Sequence, residues 1–200
     1  FGTDDPAKYM NSPETPLYRK SEIFYGLNLT RDAIRKNECA IMVEGYTDLI
    51  QLFQAGIKNV VAVSGTAFTE KHVQQIRRFS SKVYLAYDGD SAGIKASLRA
   101  GYVLLKGGVD PIVIEIPDGM DPDDWIQKDG GTEFKSIGIE KASGLLRFHL
   151  KTAGFKELSS SERSNVIKEI LSEAAGIPDP IIRQDFIKTL AQVSGVEENQ

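Results

Sequence analysis

The stretch KVYLAYDGDSAG, residues 82–93, decides the fold class of this 200-residue chain. Its first seven residues are rich in apolar, β-branched and aromatic side chains, which predicts a buried strand ending at Asp88. The DGDSAG that follows offers a turn and a helix N-cap, and the helical pattern continues to Lys106. A buried strand that leads through a short turn into a helix is typical of a parallel α/β sheet.

Similar strand–helix pairs lie on both sides of this stretch. The predicted strands are AIMVE (40–44), NVVAV (59–63), KVYLAYD (82–88) and PIVIEIP (111–117). The predicted helices between them cover residues 48–55, 69–79 and 91–106. From about residue 131 strand-like runs stop, and helical patterns follow at about 140–154, 160–175 and 178–194. The sequence therefore predicts an α/β fold with a roughly four-stranded, mostly parallel sheet flanked by helices, followed by a small helical subdomain.

This pattern divides the chain into three predicted parts. Residues 1–30 are an irregular, proline-containing lead-in, residues 31–133 hold the strand–helix repeats, and residues 134–200 form the helical subdomain. The sequence has no signal-peptide pattern at its start. It does not begin with Met, so we expect it to be an excised fragment.

Composition excludes several classes of protein. An apolar share of 41% and a charged share of 26% are ordinary for a soluble globular protein and exclude a mainly disordered chain. No apolar run approaches the ~20 residues of a membrane helix. With one cysteine and two histidines, a disulfide framework is impossible and a Cys/His zinc site nearly so, and a reducing, cytoplasmic location is expected. A net charge of −4 excludes a uniformly basic nucleic-acid-binding domain.

The acidic excess lies in one stretch, residues 88–133, which holds ten acidic and four basic side chains. Acidic residues follow three of the predicted strands: Glu44 after the first, Asp88 and Asp90 after the third, and Asp121 and Asp123 beyond the fourth. Because ligands bind at the carboxyl ends of parallel strands, we expect these side chains to converge. Crowded carboxylates cannot all stay ionised unless a cation holds them, and Mg²⁺ prefers such oxygen ligands. The sequence therefore predicts a divalent metal site suited to phosphoryl transfer.

Each acidic motif also has a purely structural interpretation. Glu44-Gly45 is often only a turn, Asp88-Gly89-Asp90 is often a turn with local backbone hydrogen bonds, and Asp121-Pro122-Asp123 can cap a helix. A solvated acidic face is the simplest alternative for the whole cluster. The occurrence of all three motifs at strand ends favours the metal site.

Four motifs in sequence order, VEGYTD (43–48), SGTAFT (64–69), YDGDSAG (87–93) and DPDDWI (121–126), resemble the Toprim fold and, more narrowly, the DnaG-type bacterial primases. The lead-in KYMNSPETPLYRKSEIFYGL (8–27) resembles the segment before Toprim in the primase polymerase domain. IPDPIIRQDFIKTLAQVSGV (177–196) resembles the helical end of the same domain. The resemblance implies metal-dependent nucleotidyl transfer that makes RNA primers on single-stranded DNA during replication. It also implies that residues 31–133 are the Toprim metal-binding domain.

The resemblance implies roles for individual residues as well. The implied metal ligands are Glu44, Asp88, Asp90, Asp121 and Asp123, of which Glu44, Asp88 and Asp90 are also catalytic. Asp48 would be a supporting carboxylate, and Lys8, Asn11 and Lys20 would contact nucleotide or nucleic acid. The implied cofactors are two or more Mg²⁺ or Mn²⁺ ions, with no zinc in this chain. The implied partners are ribonucleoside triphosphates, a single-stranded DNA template, the RNA–DNA primer duplex and, through a domain not present here, the replicative helicase; no membrane is implied.

Two other functions fit the same motifs. Another Toprim enzyme, a nuclease or a topoisomerase, would use the same acidic edge, although no tyrosine here stands out as a topoisomerase nucleophile. A nucleotide-binding module would bind nucleotide and metal without turnover.

Three side chains outside the acidic motifs are given structural interpretations. His72 is expected to be an exposed helix residue. Trp125 is expected to be a core anchor, and Tyr87 a packed strand residue.

Overall fold

The computed structural model of the chain describes residue 15, residues 19–63 and residues 67–195. The described α-helices are α1 (Leu27–Asn37), α2 (Tyr46–Gln54), α3 (Glu70–Ile76), α4 (Ser91–Lys106), α5 (Pro122–Glu133), α6 (Leu145–Thr152), α7 (Ser160–Ala175) and α8 (Pro180–Ser194). The described strands are β1 (Ala40–Val43), β2 (Val60–Ala62), β3 (Lys82–Leu85), β4 (Asp110–Val113) and β5 (Ser143–Gly144). A 3-10 helix, Lys20–Glu22, precedes α1, and a π-helix, Phe134–Ile139, follows α5.

The strands form one sheet in the order β2-β1-β3-β4-β5. The first four are parallel to their neighbours, as in the pairs Ile41↔Val60 and Met42↔Leu85. These observations confirm the predicted α/β class and the mostly parallel sheet. The expectation of four strands was wrong by one, because β5 pairs antiparallel with β4. A two-residue strand is too short to show an alternating pattern in the sequence.

Helical layers cover both faces of the sheet, and this explains why the strands read as continuous apolar runs. Met42 packs with α3, α4 and the C-terminal helices, whereas its neighbours Ile41 and Val43 pack on the other face with α2 and α5. Trp125 of α5 is 3% exposed in this second cluster, which confirms it as a core anchor.

The described end of the lead-in, from residue 19 onward, contains regular structure. Tyr25 forms an antiparallel bridge with Ala62, so the chain passes along the free edge of β2 before it turns into α1. Gly26, with φ of 82°, makes this turn. The expected irregular segment therefore ends at residue 26 rather than 30.

Helices α6–α8 share the apolar core of the α/β part. Leu145 of α6 approaches α4 at Gly101, where a Cβ atom would lie only 2.5 Å from Leu145 Cδ1. The rings of Tyr102 and Phe186 are 6.3 Å apart and join α4 to α8. The C-terminal helices are thus packed onto the sheet layer through α4. Within the ranges 19–63 and 67–195, no helix has the length and apolar content needed to cross a bilayer.

Candidate metal centre

The acidic residues predicted at strand ends lie along one edge of the sheet. Glu44 directly follows β1, and Asp88 lies three residues past the end of β3. Since β1 and β3 are adjacent and parallel, both side chains belong to the carboxyl edge, where parallel sheets bind ligands. Asp90 and Asp121 are the N-cap residues of α4 and α5. Four of the five predicted metal ligands, Glu44, Asp88, Asp90 and Asp121, therefore lie at the same edge.

The pKa of Glu44 is raised strongly, and no hydrogen bond acts to lower it. Burial, followed by the nearby charges of Asp88, Asp48 and Asp90 in that order, raises its pKa to about 7. Its Oε1 is buried and has no hydrogen-bond partner among the described residues. A carboxylate in this setting requires either a proton or a cation near neutral pH.

A cavity of about 50 Å³ lies beside Glu44. Tyr87 and Arg99 also line it. Tyr87 is 4% exposed, which confirms that it is packed, and its hydroxyl has no hydrogen-bond partner within the described ranges. The residues that line the cavity thus include two with an unsatisfied buried oxygen, Glu44 and Tyr87, and one with a positive charge, Arg99.

Asp48 joins the starts of two helices. It is 4% exposed, and its Oδ2 accepts a hydrogen bond from the Gly45 backbone N–H at 3.0 Å. The backbone N–H of Asp123 bonds to the same carboxylate. Burial, with repulsion from Asp121 and Asp88, raises the pKa of Asp48 to about 7 although both hydrogen bonds lower it. Asp48 therefore connects the start of α2 to the start of α5.

Asp90 and Asp121 cap helices and also face the cluster. Asp90 Oδ1 accepts from the N–H groups of Ala92 and Gly93 at 2.9 and 2.8 Å, and Asp121 Oδ1 accepts from Asp124 N–H at 2.6 Å. These are the capping roles that the structural interpretation proposed. Each cap uses one oxygen only, so the second oxygen of each carboxylate is available for another ligand.

Asp88 lies between these caps. Burial raises its pKa, followed by the charges of Asp121, Asp90 and Asp124. Two glycines allow its close packing: a Cβ on Gly89 would lie 2.2 Å from Pro117 O, and a Cβ on Gly93 would lie 2.2 Å from Asp88 O. Gly89 and Gly93 of DGDSAG are therefore required by the close packing of this turn.

Asp123 is not brought together with the other predicted ligands. Its carboxylate accepts a hydrogen bond from Gln127, one turn further along α5, and it is absent from the charges that perturb Glu44, Asp48 and Asp88. Asp124, which the sequence analysis did not single out, does raise the pKa of Asp88. The sequence signal for Asp124 was the DPDD motif, which offers three acidic residues, Asp121, Asp123 and Asp124, as candidates.

The predicted nucleotide contacts are only partly described. Lys8 and Asn11 lie outside the described residues, whereas Lys20 is half-buried at the start of the 3-10 helix Lys20–Glu22. The expectation that His72 is exposed was wrong: its exposure is 0%, and its Nε2 contacts Lys20 O at 3.1 Å. The pattern Thr69-x-x-His72 was the missed signal, because a polar residue at the N3 position of a helix often bonds back to the N-cap.

The donor set fits a hard divalent cation. Carboxylate oxygens are the ligands that Mg²⁺ and Mn²⁺ prefer, and the mutual repulsion at this edge is what a bound cation relieves. Among the described residues, no three acidic, histidine or cysteine side chains already surround a single point in a ligating arrangement. The residues therefore suit the cation in chemistry and charge, and their oxygens must move closer together to bind it.

Two family models match this chain. The Toprim-like family model matches residues 41–126, which include Glu44, Asp88 and Asp121. The model of the DNA primase catalytic core, N-terminal domain, matches residues 1–31.

Individual relatives extend the match over nearly the whole chain. The DNA primase of Halalkalibacterium halodurans is 39% identical over 191 residues, 94% of this chain and 32% of its own. A crystal structure of a DNA primase domain from Pseudomonas aeruginosa aligns with a TM-score of 0.85 and 30% identity over 97% of this chain and 62% of that one. A DnaG primase catalytic domain bound to single-stranded DNA aligns with a TM-score of 0.80 and 31% identity over 98% and 62%. The chain spans about a third of the length of the curated relatives it matches.

Proposed function

Since the chain belongs to the DnaG-type primases, as their Toprim-containing region, we propose that it forms the metal-binding part of a primer-synthesising centre in the full-length protein. The reaction is DNA-directed RNA synthesis. The 3′ hydroxyl oxygen of the primer attacks the α-phosphorus of a ribonucleoside triphosphate, and the bond to pyrophosphate breaks. The primase relatives do not favour a nuclease or topoisomerase for the same edge.

The observation that carries this proposal is the convergence of Glu44, Asp48, Asp88, Asp90 and Asp121 at the carboxyl edge, with the pKa of Glu44 raised to about 7. An acidic face that served solubility alone would be exposed and would titrate normally. Groups with perturbed pKa values at a ligand-binding edge favour a functional site.

The side chains divide the work between binding and support. Asp88, Asp90 and Asp121 would hold two or more Mg²⁺ or Mn²⁺ ions, the two caps through the oxygen that the helix does not use. Glu44 would present its unpaired Oε1 as a further ligand or as a proton acceptor. Asp48 would keep α2 and α5 in place. The bound cations would neutralise the triphosphate and lower the pKa of the attacking hydroxyl. We assign no ligand role to the Asp123 carboxylate, which Gln127 engages.

Lys20, together with Lys8 and Asn11, would contact phosphates of the nucleotide or the nucleic acid. The primase catalytic domain bound to single-stranded DNA supports a DNA template as partner. We further propose the RNA–DNA primer duplex as product partner, the replicative helicase as a partner of a domain outside this chain, and action in the cytoplasm. Residues 31–133 would be the Toprim domain between the lead-in and the helical subdomain.

Primer synthesis by the full-length primase tests the assignment. Glu44→Gln and Asp88→Asn should each lower the rate at saturating Mg²⁺ by at least about 10²-fold, because each removes charge where the transition state needs it. Asp110→Asn is the matched control: burial also raises the pKa of Asp110, but this residue starts β4 at the opposite end of the sheet. Near-normal primer yield from either edge variant would show the roles to be misassigned.

A further inference from the structure

The 3-10 helix that carries Lys20 is fastened to the start of α3 by two side chains. His72 Nε2 lies 3.1 Å from Lys20 O, and the Thr69 hydroxyl donates to Ser21 O at 2.6 Å. Both bonds end on backbone carbonyls about fifty positions earlier in the sequence. They fix the backbone of the segment through its carbonyl groups and involve no atom of the Lys20 side chain.

The hydrogen-bond donors and acceptors define one state of His72. The Thr69 backbone N–H donates to His72 Nδ1 at 3.2 Å, so Nδ1 carries no proton. The Thr69 hydroxyl proton is used on Ser21 O, although its oxygen also lies 3.0 Å from Nδ1. Nε2 is therefore the protonated nitrogen and donates to Lys20 O. Burial lowers the pKa of His72 and keeps this neutral tautomer.

The imidazole is held rigidly. His72 is fully buried, its ring stacks on Phe68 at 5.5 Å, and its centroid lies 4.9 Å from that of Phe24. The ion pair of Glu22 with Lys71 joins the same segment to α3 from the solvent side, and Glu22 also pairs with Arg19 within the segment. Exposed pairs of this kind contribute little, so the buried bonds determine the position.

The anchored segment belongs to the acidic edge of the sheet. Tyr25 pairs antiparallel with Ala62, so residues before Tyr25 run toward the carboxyl end of β2. β2 neighbours β1, the strand that Glu44 follows. The topology therefore places Lys20 on the edge that holds the carboxylates.

We propose that Thr69 and His72 are positioning residues, which hold the Lys20 backbone so that its ammonium group meets a phosphate at the metal centre. This proposal rests on the proposed function, because it requires Lys20 to bind a phosphate group. The phosphate belongs either to the incoming ribonucleoside triphosphate or to the DNA template. Neither Thr69 nor His72 needs to touch the ligand itself.

Steady-state primer synthesis by the full-length primase, with titration of a fluorescein-labelled single-stranded oligonucleotide, tests the proposal. Thr69→Val removes the hydroxyl with little change in volume, and His72→Phe keeps the ring but loses both nitrogens. Each should raise either the KM for ribonucleoside triphosphates or the Kd for DNA on the order of tenfold, because small misplacements of binding groups are costly. The quantity that changes identifies the source of the phosphate. Thr69→Ser should restore wild-type values.

The Lys20→Ala variant distinguishes failure of the positioning role from failure of the proposed phosphate contact of Lys20. If Lys20→Ala alone changes neither KM nor Kd, Lys20 binds no phosphate and the proposed contact is wrong. If it weakens binding, adding His72→Phe should cause no further loss, since the two act as a unit. Additive losses, or equal losses in Thr69→Ser and Thr69→Val, would overturn the positioning role.

Loss of packing is controlled by the next residue. Val73 is 3% exposed and packs toward Gly107 at the end of α4, away from the 3-10 helix. Val73→Ala should lower the melting temperature at least as much as Thr69→Val while leaving KM and Kd unchanged. Weakened binding in Val73→Ala would show that general loosening of α3 is the cause. In the wild-type protein, ¹⁵N NMR should show Nε2 of His72 protonated and Nδ1 unprotonated, and the opposite tautomer would contradict the bond to Lys20.

Discussion

Glu44 and Tyr87 follow neighbouring parallel strands two positions beyond the pair Met42↔Leu85, and each has a buried oxygen without a hydrogen-bond partner in the described ranges. Both border the same small cavity. Burial raises the pKa of the Tyr87 phenol, and the negative charge of Glu44 is the second cause of this rise. Two unsatisfied groups side by side give this edge less stability than its packing alone would provide.

The two buried tyrosines should respond differently to loss of the hydroxyl. Tyr102 OH lies 2.7 Å from His149 Nδ1, so Tyr102→Phe leaves a buried nitrogen unsatisfied and should lower the free energy of unfolding by about 1–3 kcal/mol. Tyr87→Phe removes a buried hydroxyl without a described partner, so it should instead raise the free energy of unfolding by about 1–3 kcal/mol. Urea unfolding of the chain measures both. A comparable loss in Tyr87→Phe would mean that its hydroxyl is hydrogen-bonded in solution.

The stability of the metal-free chain should fall as pH rises through the neutral range. The pKa of Glu44 is 4.5 when unperturbed and about 7 in the fold, so between these values the folded state binds more protons than the unfolded state. Glu44→Gln should therefore be more stable than wild type by about 1–2 kcal/mol at pH 8 in EDTA, after allowance for partial exposure.

The same comparison at pH 5 supplies the control. There Glu44 is largely protonated in the folded state, so the difference between the two proteins should be much smaller than at pH 8. The buried histidines are common to both and cancel in the comparison. A difference that stays constant from pH 5 to pH 8 would assign the effect to packing rather than to ionisation.

Two equivalent N-caps distinguish a structural aspartate from a metal ligand. Asp90 accepts two backbone N–H bonds at the start of α4, and Asp179 accepts two at the start of α8. Asparagine caps about as well as aspartate, so both Asp→Asn variants should keep their melting temperature. Only Asp90→Asn should weaken Mn²⁺ binding, measured by EPR, on the order of tenfold or more. Equal Mn²⁺ affinity in the two variants would show that Asp90 acts only as a helix N-cap and not as a metal ligand.

Gly93→Ala should be destabilising, although it places alanine in a helix. The substitution ordinarily gains up to about 1 kcal/mol in a helix interior. Here the new Cβ would meet Asp88 O at 2.2 Å, so a loss of about 1–3 kcal/mol is expected from the forced shift of the Asp88 turn. Calorimetry gives the sign directly, and a raised melting temperature would show that the turn yields easily.

The sequence predicted the edge better than it predicted the chemistry of each side chain. Strand periodicity and the strand-end positions of Glu44, Asp88 and Asp121 were sufficient to place these groups together, because parallel topology gathers carboxyl ends. The separation of Asp123 from the cluster depends on its hydrogen bond to Gln127, and on which face of α5 the side chain occupies. Local sequence does not determine that choice.

The misjudged His72 shows a different limit. A histidine in a short helix with charged neighbours reads as exposed, since its burial comes from Phe24 and from carbonyls about fifty residues away. Long-range packing of this kind has no periodic signal. The short strand β5 was missed for the same reason: its partner, β4, lies thirty residues earlier and supplies the geometry.

The sheet has no long open edge in the described residues, because Tyr25 covers β2 on one side and β5 covers β4 on the other. Tyr25 precedes the four parallel strands in the sequence, whereas β5 follows them. During synthesis, β4 therefore stays open to pairing with other chains until residue 144 has left the ribosome. Truncation between residues 124 and 142 would keep every predicted metal ligand before the cut and still remove this protection, which makes such fragments prone to aggregate through β4.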